Sequence, residues 1–341
     1  MCNLKQHLVI TTISHPNTAL EAYAAGCKKH GYEFVLIGDT KSPEDFRLPA
    51  ARFYSLSDQR KLTLKYPKLC PERHYSRKNI GYLLAISEGA EVIVETDDDN
   101  IPTPEFWGER TISPACGVIS GSNYINIFQY FSDKQIWPRG FPLEKLWGTK
   151  PMPSSTLKSV LCPIQQGLAD NNPDVDAIYR LTMPLPVNFD RRDSLALSDG
   201  AWCPFNSQNT TWFPDAYMLL YLPSFCSFRM TDIWRSFVAQ RIAWTNGWSV
   251  LFHNATVFQE RNEHNLMNDF ADEIEGYCNN LRIMTSLQTL KLQSGSEHLP
   301  ENLVKCYSAL VEIGVIKFRE IDLLKVWISD IQGILKHSAK T

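Results

Sequence analysis

Asp97, Asp98 and Asp99 stand side by side one residue, Thr96, beyond the apolar run Glu91–Glu95 (EVIVE). Three adjacent carboxylates repel one another, which costs stability unless positive charge neutralises them. A hard divalent cation does this well. Mg²⁺ or Mn²⁺ takes one or two carboxylates and completes its shell with water and phosphate oxygens. In an extended chain Asp97 and Asp99 point to one side and Asp98 to the other. That pattern offers an Asp-x-Asp metal pair and one carboxylate for other hydrogen bonds. The competing reading is a solvated acidic loop that caps a helix near Pro104–Trp107. The position after a strand favours the metal site, because ligands of open α/β sheets collect at the carboxyl ends of strands. Upstream, Arg77, Lys78 and Asn79 open a helical stretch. A helix N-terminus with two cations suits a phosphate group. The alternative is an ordinary surface helix start, although the macrodipole disfavours basic residues there.

These residues need a frame. His7–Ile13 (HLVITTI) is β-branched and apolar, a buried strand by pattern. Thr18–His30 has helical spacing and stops at Gly31, and Tyr32–Ile37 is a second strand closed by Gly38-Asp39. Strand, helix, strand is a βαβ unit, the seed of a parallel sheet covered by helices. A helix over Ser76–Glu88 then precedes the EVIVE strand. Residues 110 to 215 are richer in Pro and Gly and read as a less regular half with long loops. A helix is predicted over Thr231–Asn246 and a late strand over Ser249–Phe258. Three helices follow, over Asp272–Leu290, Pro300–Ile313 and Phe318–Leu335, with Gly314 as the stop of the middle one.

Composition bounds the class. The chain has 341 residues, 34 basic and 37 acidic, so the formal net charge is 34 − 37 = −3. With 44% hydrophobic and 21% charged residues, a disordered, collagenous or strongly basic chain is excluded. A near-zero charge gives no bulk attraction for nucleic acid. The nine cysteines are scattered without a CxxC pair, which points to reduced, mostly buried thiols rather than a zinc knuckle or a thioredoxin-like site. The N-terminal residues lack an apolar signal core. The most apolar stretch, Ala216–Phe228, is interrupted by Pro223 and falls short of the roughly 20 residues a bilayer needs. A soluble, cytoplasmic protein without a transmembrane segment is the expectation.

Seven segments, in order, resemble the STELLO family of glycosyltransferases and, more distantly, the reversibly glycosylated polypeptides of plants. They are Gly38–Pro43 (GDTKSP), Arg77–Tyr82 (RKNIGY), Glu95–Asn100 (ETDDDN), Trp137–Pro142 (WPRGFP), Asp174–Thr182 (DVDAIYRLT), Pro204–Thr210 (PFNSQNT) and Arg229–Arg235 (RMTDIWR). The resemblance spans roughly residues 7 to 280, and the run from Thr231 to Arg241 is its most specific part.

The resemblance implies an α/β, GT-A-like nucleotide-sugar-binding fold, a Rossmann-like mixed sheet flanked by helices. Residues 1–280 would be the catalytic domain and 281–341 a helical C-terminal region that packs on it, with a homodimer contact as the alternative role. The implied chemistry is sugar transfer from a nucleoside diphosphate sugar to a glycan or other hydroxyl acceptor. A divalent cation, manganese or magnesium, would sit on Asp97 and Asp99, with His264 as third ligand and His253 as the second choice. Asp232, near the start of its helix, is the implied general base of an inverting reaction, against a plain N-cap role. Thr11, Thr12 and Asp39 would face the nucleoside. Asp98 would contact sugar or ribose hydroxyls, and Arg77, Lys78 and Asn79 the phosphates. Asn206, Gln208 and Asn209 suit sugar hydroxyls. Asp174 and Asp176 are acceptor-side or structural. A nucleotide-sugar mutase and a non-catalytic nucleotide-sugar-binding scaffold remain the alternative readings.

Overall fold

A computed structural model describes residues 4–121, 123–148, 150–153, 156–260 and 265–338. Its strands are β1 Gln6–Thr11, β2 Glu33–Ile37, β3 Ala51–Tyr54, β4 Val92–Thr96, β5 Asn100–Pro102, β6 Ala115–Ile119, β7 Asn123–Tyr124, β8 Lys158–Ser159, β9 Ile164–Asp170, β10 Leu195–Leu197, β11 Ala201–Trp202, β12 Asn209–Trp212 and β13 Val250–Gln259. Its α-helices are α1 Thr18–His30, α2 Leu56–Lys61, α3 Tyr66–Leu69, α4 Lys78–Ser87, α5 Ile127–Tyr130, α6 Ala177–Thr182, α7 Thr231–Thr245, α8 Leu266–Gln288, α9 Leu299–Glu312 and α10 Glu320–Ser338.

The first βαβ unit forms where local chemistry asks for it. Asn17 caps α1 by accepting from the Leu20 N–H, and Gly31 ends the helix at φ 75°, donating its N–H to the Cys27 carbonyl. β1 pairs in parallel with β2 on one side and with β4 on the other. The crevice between β1 and β4 is therefore a topological switch point, and it lies at the carboxyl ends of both strands. Among the described residues the sheet runs β3-β2-β1-β4-β12-β9-β13-β10-β6-β8, with β5 attached to β13. β12 is antiparallel to both β4 and β9, so the sheet is mixed. A large mixed sheet flanked by helices, with helices at the C-terminal end, agrees with the GT-A-like class expected.

Alternation along the strands sends side chains to two cores. Leu8, Ile10, Leu36 and Val94 pack with Leu20 and Tyr23 of α1. Val9, Val35, Ile37 and Ile93 pack on the opposite face with α4. Helix α4 lies close on β1 because residue 81 is glycine, where a Cβ would come within 2.4 Å of Val9 Cγ1.

The second core continues through α7 into α9 and α10, joining Trp234, Leu310, Leu324 and Trp327 to the sheet. The fully buried Trp327 donates to the Met218 carbonyl at 3.1 Å, and Asp330 Oδ2 accepts the Lys65 and Tyr66 N–H groups. Helix α8 runs unbroken through residue 280. No helix among the described residues is long and apolar enough to cross a membrane.

Sequence and structure differ at several element ends. β1 stops at Thr11, so Thr12 and Ile13 belong to the following loop. The helix expected from Ser76 begins as a 3₁₀ turn over Tyr75–Arg77 before α4 proper. α8 starts at Leu266, earlier than its apolar spacing indicates, because Asn265 caps it by accepting from the Met267 and Asn268 N–H groups.

Candidate active site

A cavity of about 530 Å³ opens where β1, β2 and β4 end. Thr11 and Thr12 line it at and just after the end of β1, Gly38 and Asp39 just after β2, and Asp97–Asp99 just after β4. Arg139, Asp174, Gln208 and Asp232 close the far side, carried by the irregular middle of the chain and by α7.

The acidic segment is a turn rather than an extended strand: β4 ends at Thr96 and β5 begins at Asn100. The reason lies in Asn100, which is buried, exchanges hydrogen bonds with Gln208, and pairs with Gln259 in β13. The three carboxylates accordingly have different surroundings. Asp97 Oδ1 accepts from Lys78 Nζ at 2.9 Å and from the Tyr75 hydroxyl at 2.5 Å. Asp98 Oδ2 accepts from Thr12 Oγ1 at 2.6 Å. Asp99 Oδ2 accepts from Gln259 Nε2 at 3.0 Å, while its buried Oδ1 has no hydrogen-bond partner among the described residues. Burial, then the charges of Asp97 and Asp98, push the Asp99 carboxyl up to about 7; burial also raises Asp98.

This orphaned oxygen fits a hard cation. An oxygen-only donor set, a buried lone pair and a carboxyl with reduced acidity are what a divalent ion would relieve. Asp97 and Asp99 would hold it. Among the described residues no group of three His, Cys, Asp or Glu side chains is placed to bind a metal. His264 lies outside the described residues. His253 sits within β13, donates its Nδ1–H to the Asn254 carbonyl, and has its pKa lowered by burial to about 4, the mark of a neutral structural histidine.

Asp232 stands at the second position of α7, and Met230, whose side chain makes no capping bond, occupies the N-cap. The carboxylate receives the Arg139 guanidinium at 3.1 and 3.0 Å and the Ser207 N–H at 3.2 Å. Burial would raise its pKa, but Arg139 outweighs this and holds it at about 2. Arg139 also grips Asp174 through two bonds of 2.8 Å, so one buried guanidinium is shared by two carboxylates. What sets α7 in place is a buried ion pair one turn later. Arg235 meets Glu95 of β4 at 2.7 and 3.0 Å, and Trp212 Nε1 donates to the same carboxylate at 2.8 Å.

Several expected site residues are engaged in holding the structure. Arg77 is buried and bonds to Gln59 and to the Cys70 and Pro71 carbonyls. Asn79 bonds to the Tyr66 hydroxyl and to the backbone of Leu222. Asn206 donates to Asp174, and Asn209 to the Leu168 carbonyl and Thr256. Asp176 caps α6 and accepts from Trp137 Nε1; burial raises it to about 6. Of these, only Arg77 lines the cavity. Lys78 is fully buried beneath it and reaches Tyr75, Asp97 and the Ser207 carbonyl. The sequence reading overlooked Tyr75, Ser207 and Gln259, single polar residues beside longer motifs, whose contacts span up to 160 residues.

Residues 229–338 match the family model described as STELLO glycosyltransferases. Over 355 residues the chain is 27% identical to "Probable glycosyltransferase STELLO2" of Arabidopsis thaliana, an alignment covering 95% of the chain and 44% of the relative. The chain is similar to the STELLO family over most of its length. A second relative, "Probable glycosyltransferase STELLO1" of the same plant, is 25% identical over 358 residues, covering 96% of the chain and again 44% of the relative. The chain thus spans less than half the length of these STELLO relatives. A solved structure titled "Crystal Structure of a Mycobacterial Protein" is similar at a TM-score of 0.39 and 10% identity, covering 82% of this chain and 74% of that one. That likeness is too low to assign a fold.

Proposed function

We propose that this chain is a nucleotide-sugar-dependent glycosyltransferase that moves a sugar from a nucleoside diphosphate to a hydroxyl acceptor, with inversion. The observation that carries the reading is the convergence, in one cavity at the switch point, of the Asp97–Asp99 turn and the Arg139–Asp232 pair. Similarity to the STELLO family supports the same chemistry.

In this reading Asp97 and Asp99 hold Mn²⁺ or Mg²⁺, which when bound stabilises negative charge on the departing diphosphate. Lys78 adds fixed positive charge behind Asp97. Thr12 keeps Asp98 oriented toward donor hydroxyls. Asp232 takes the acceptor proton. Its low pKa gives little driving force in the resting state, so proton uptake accompanies bond formation, when the acceptor oxygen has become acidic. Arg139 keeps the carboxylate charged and pointed into the cavity. The eight described cysteines are all free thiols, which suits a reducing, cytoplasmic setting.

A second reading, a non-catalytic nucleotide-sugar-binding scaffold, is favoured by the tight engagement of Asp232 with Arg139 and Ser207. Incubating the protein with Mn²⁺, a panel of nucleotide sugars and hydroxyl acceptors separates the two. Release of nucleoside diphosphate supports a transferase, and metal-dependent binding without turnover supports the scaffold. Ring-isomer exchange of the donor without an acceptor would instead indicate a mutase.

A further inference from the structure

A nucleoside diphosphate needs cations for its phosphates, and the cavity's six basic residues are not equally available. Arg77 bonds to Gln59, Arg139 to Asp174 and Asp232, Arg180 to Asn172 and Pro173, and Arg229 to Glu273. Lys41 and Arg73 are the other two. Both are exposed, and among the described residues their side chains make no ion pair or hydrogen bond.

They come from loops far apart in sequence, and Asp39 joins them. Its Oδ1 accepts the Thr40 and Arg73 N–H groups at 2.7 and 2.9 Å, and its Oδ2 accepts the His74 N–H at 3.0 Å. Ser42 Oγ ties the first loop to the end of β1 by donating to the Thr12 carbonyl at 2.7 Å. Under this grip Arg73 adopts a left-handed backbone, φ 55°, a strained conformation for a non-glycine residue and one that clusters at ligand clamps.

We infer that Lys41 and Arg73 form the diphosphate clamp of the donor site, with Asp39 as the positioning residue that assembles it rather than a reader of the nucleoside. This rests on the nucleotide-sugar reading above. Guanidinium and ammonium groups in such positions bind phosphate oxygens by charge-assisted hydrogen bonds.

The test is calorimetric titration of the full chain, with and without Mn²⁺, using nucleosides and nucleoside diphosphates of the common bases. The wild type is expected to bind one diphosphate more tightly than its nucleoside. Arg73→Ala and, separately, Lys41→Ala should weaken the diphosphate about ten- to a hundred-fold and leave the nucleoside unchanged. Arg73→Lys should recover part of the loss. Asp39→Asn should weaken the diphosphate on its own yet add little to Arg73→Ala. Unliganded melting temperatures report folding, and Lys41, exposed and on a separate loop, keeps the test available should position 73 prove needed for it. Unchanged diphosphate affinity in both alanine variants overturns the clamp while the transferase reading stands. Equal loss of nucleoside and diphosphate overturns it too. A wild type that binds no nucleoside diphosphate overturns both.

Discussion

Asp99 is the carboxylate whose state depends most on what occupies the cavity. Its folded value of about 7 lies above the ordinary 3.8, so the folded protein binds the extra proton. That contribution to stability is complete below the unfolded value and is lost as pH rises through about 7. A bound cation competes with the proton, so the rise in Tm caused by Mn²⁺ should be larger at pH 8 than at pH 6, and Asp99→Asn should abolish the difference. An identical shift at both pH values would remove Asp99 from the metal site. Asp232 has the opposite sign. Its depressed value means that its stabilisation is present above pH 4 and fades as pH falls toward 2. Asp232→Asn leaves Arg139 paired with Asp174, so donor affinity should persist while kcat falls about 10²–10⁴-fold. Full transfer activity in that variant would place the base elsewhere.

Helix α7 and the Arg139 segment meet at Gly140, which has φ 87° and would place a Cβ within 2.3 Å of Ile233 Cγ2. Gly140→Ala should therefore destabilise the fold by about 1–3 kcal/mol in urea unfolding. Pairing it with Ile233→Ala should relieve the steric part and leave the backbone part. Removing one partner of the buried Arg235–Glu95 pair strands a charge in the core. Arg235→Ala should cost about 3–5 kcal/mol and loosen the end of α7 that presents Asp232, read as a lower kcat beside the lower Tm. The boundaries of α1, α7, α9 and α10 follow closely from apolar spacing and, for α1, from its Asn17 cap and Gly31 stop, because those signals are local. The acidic turn does not, since its bend is set by partners in β12 and β13.

Across the molecule, α9 and α10 share one core with the sheet. Sheet and C-terminal helices should unfold in a single transition by fluorescence and circular dichroism, and Trp327→Ala should lower stability by about 3–5 kcal/mol. Two separated transitions would show that the C-terminal helices melt alone.

The chain alone carries the βαβ start, the strand followed by three aspartates, the helix bearing Asp232 and the resemblance they indicate. Each is written in residues adjacent or a helical turn apart, where periodicity and capping act. Tertiary structure decided which of those polar groups face the cavity. Asn79, Asn209 and Asp176 are turned inward as hydrogen-bond partners of distant backbone and side chains, while Arg73 and Lys41, unremarkable in the sequence, reach its rim. A buried polar group must find a partner wherever the fold supplies one, and that partner is seldom close in the chain.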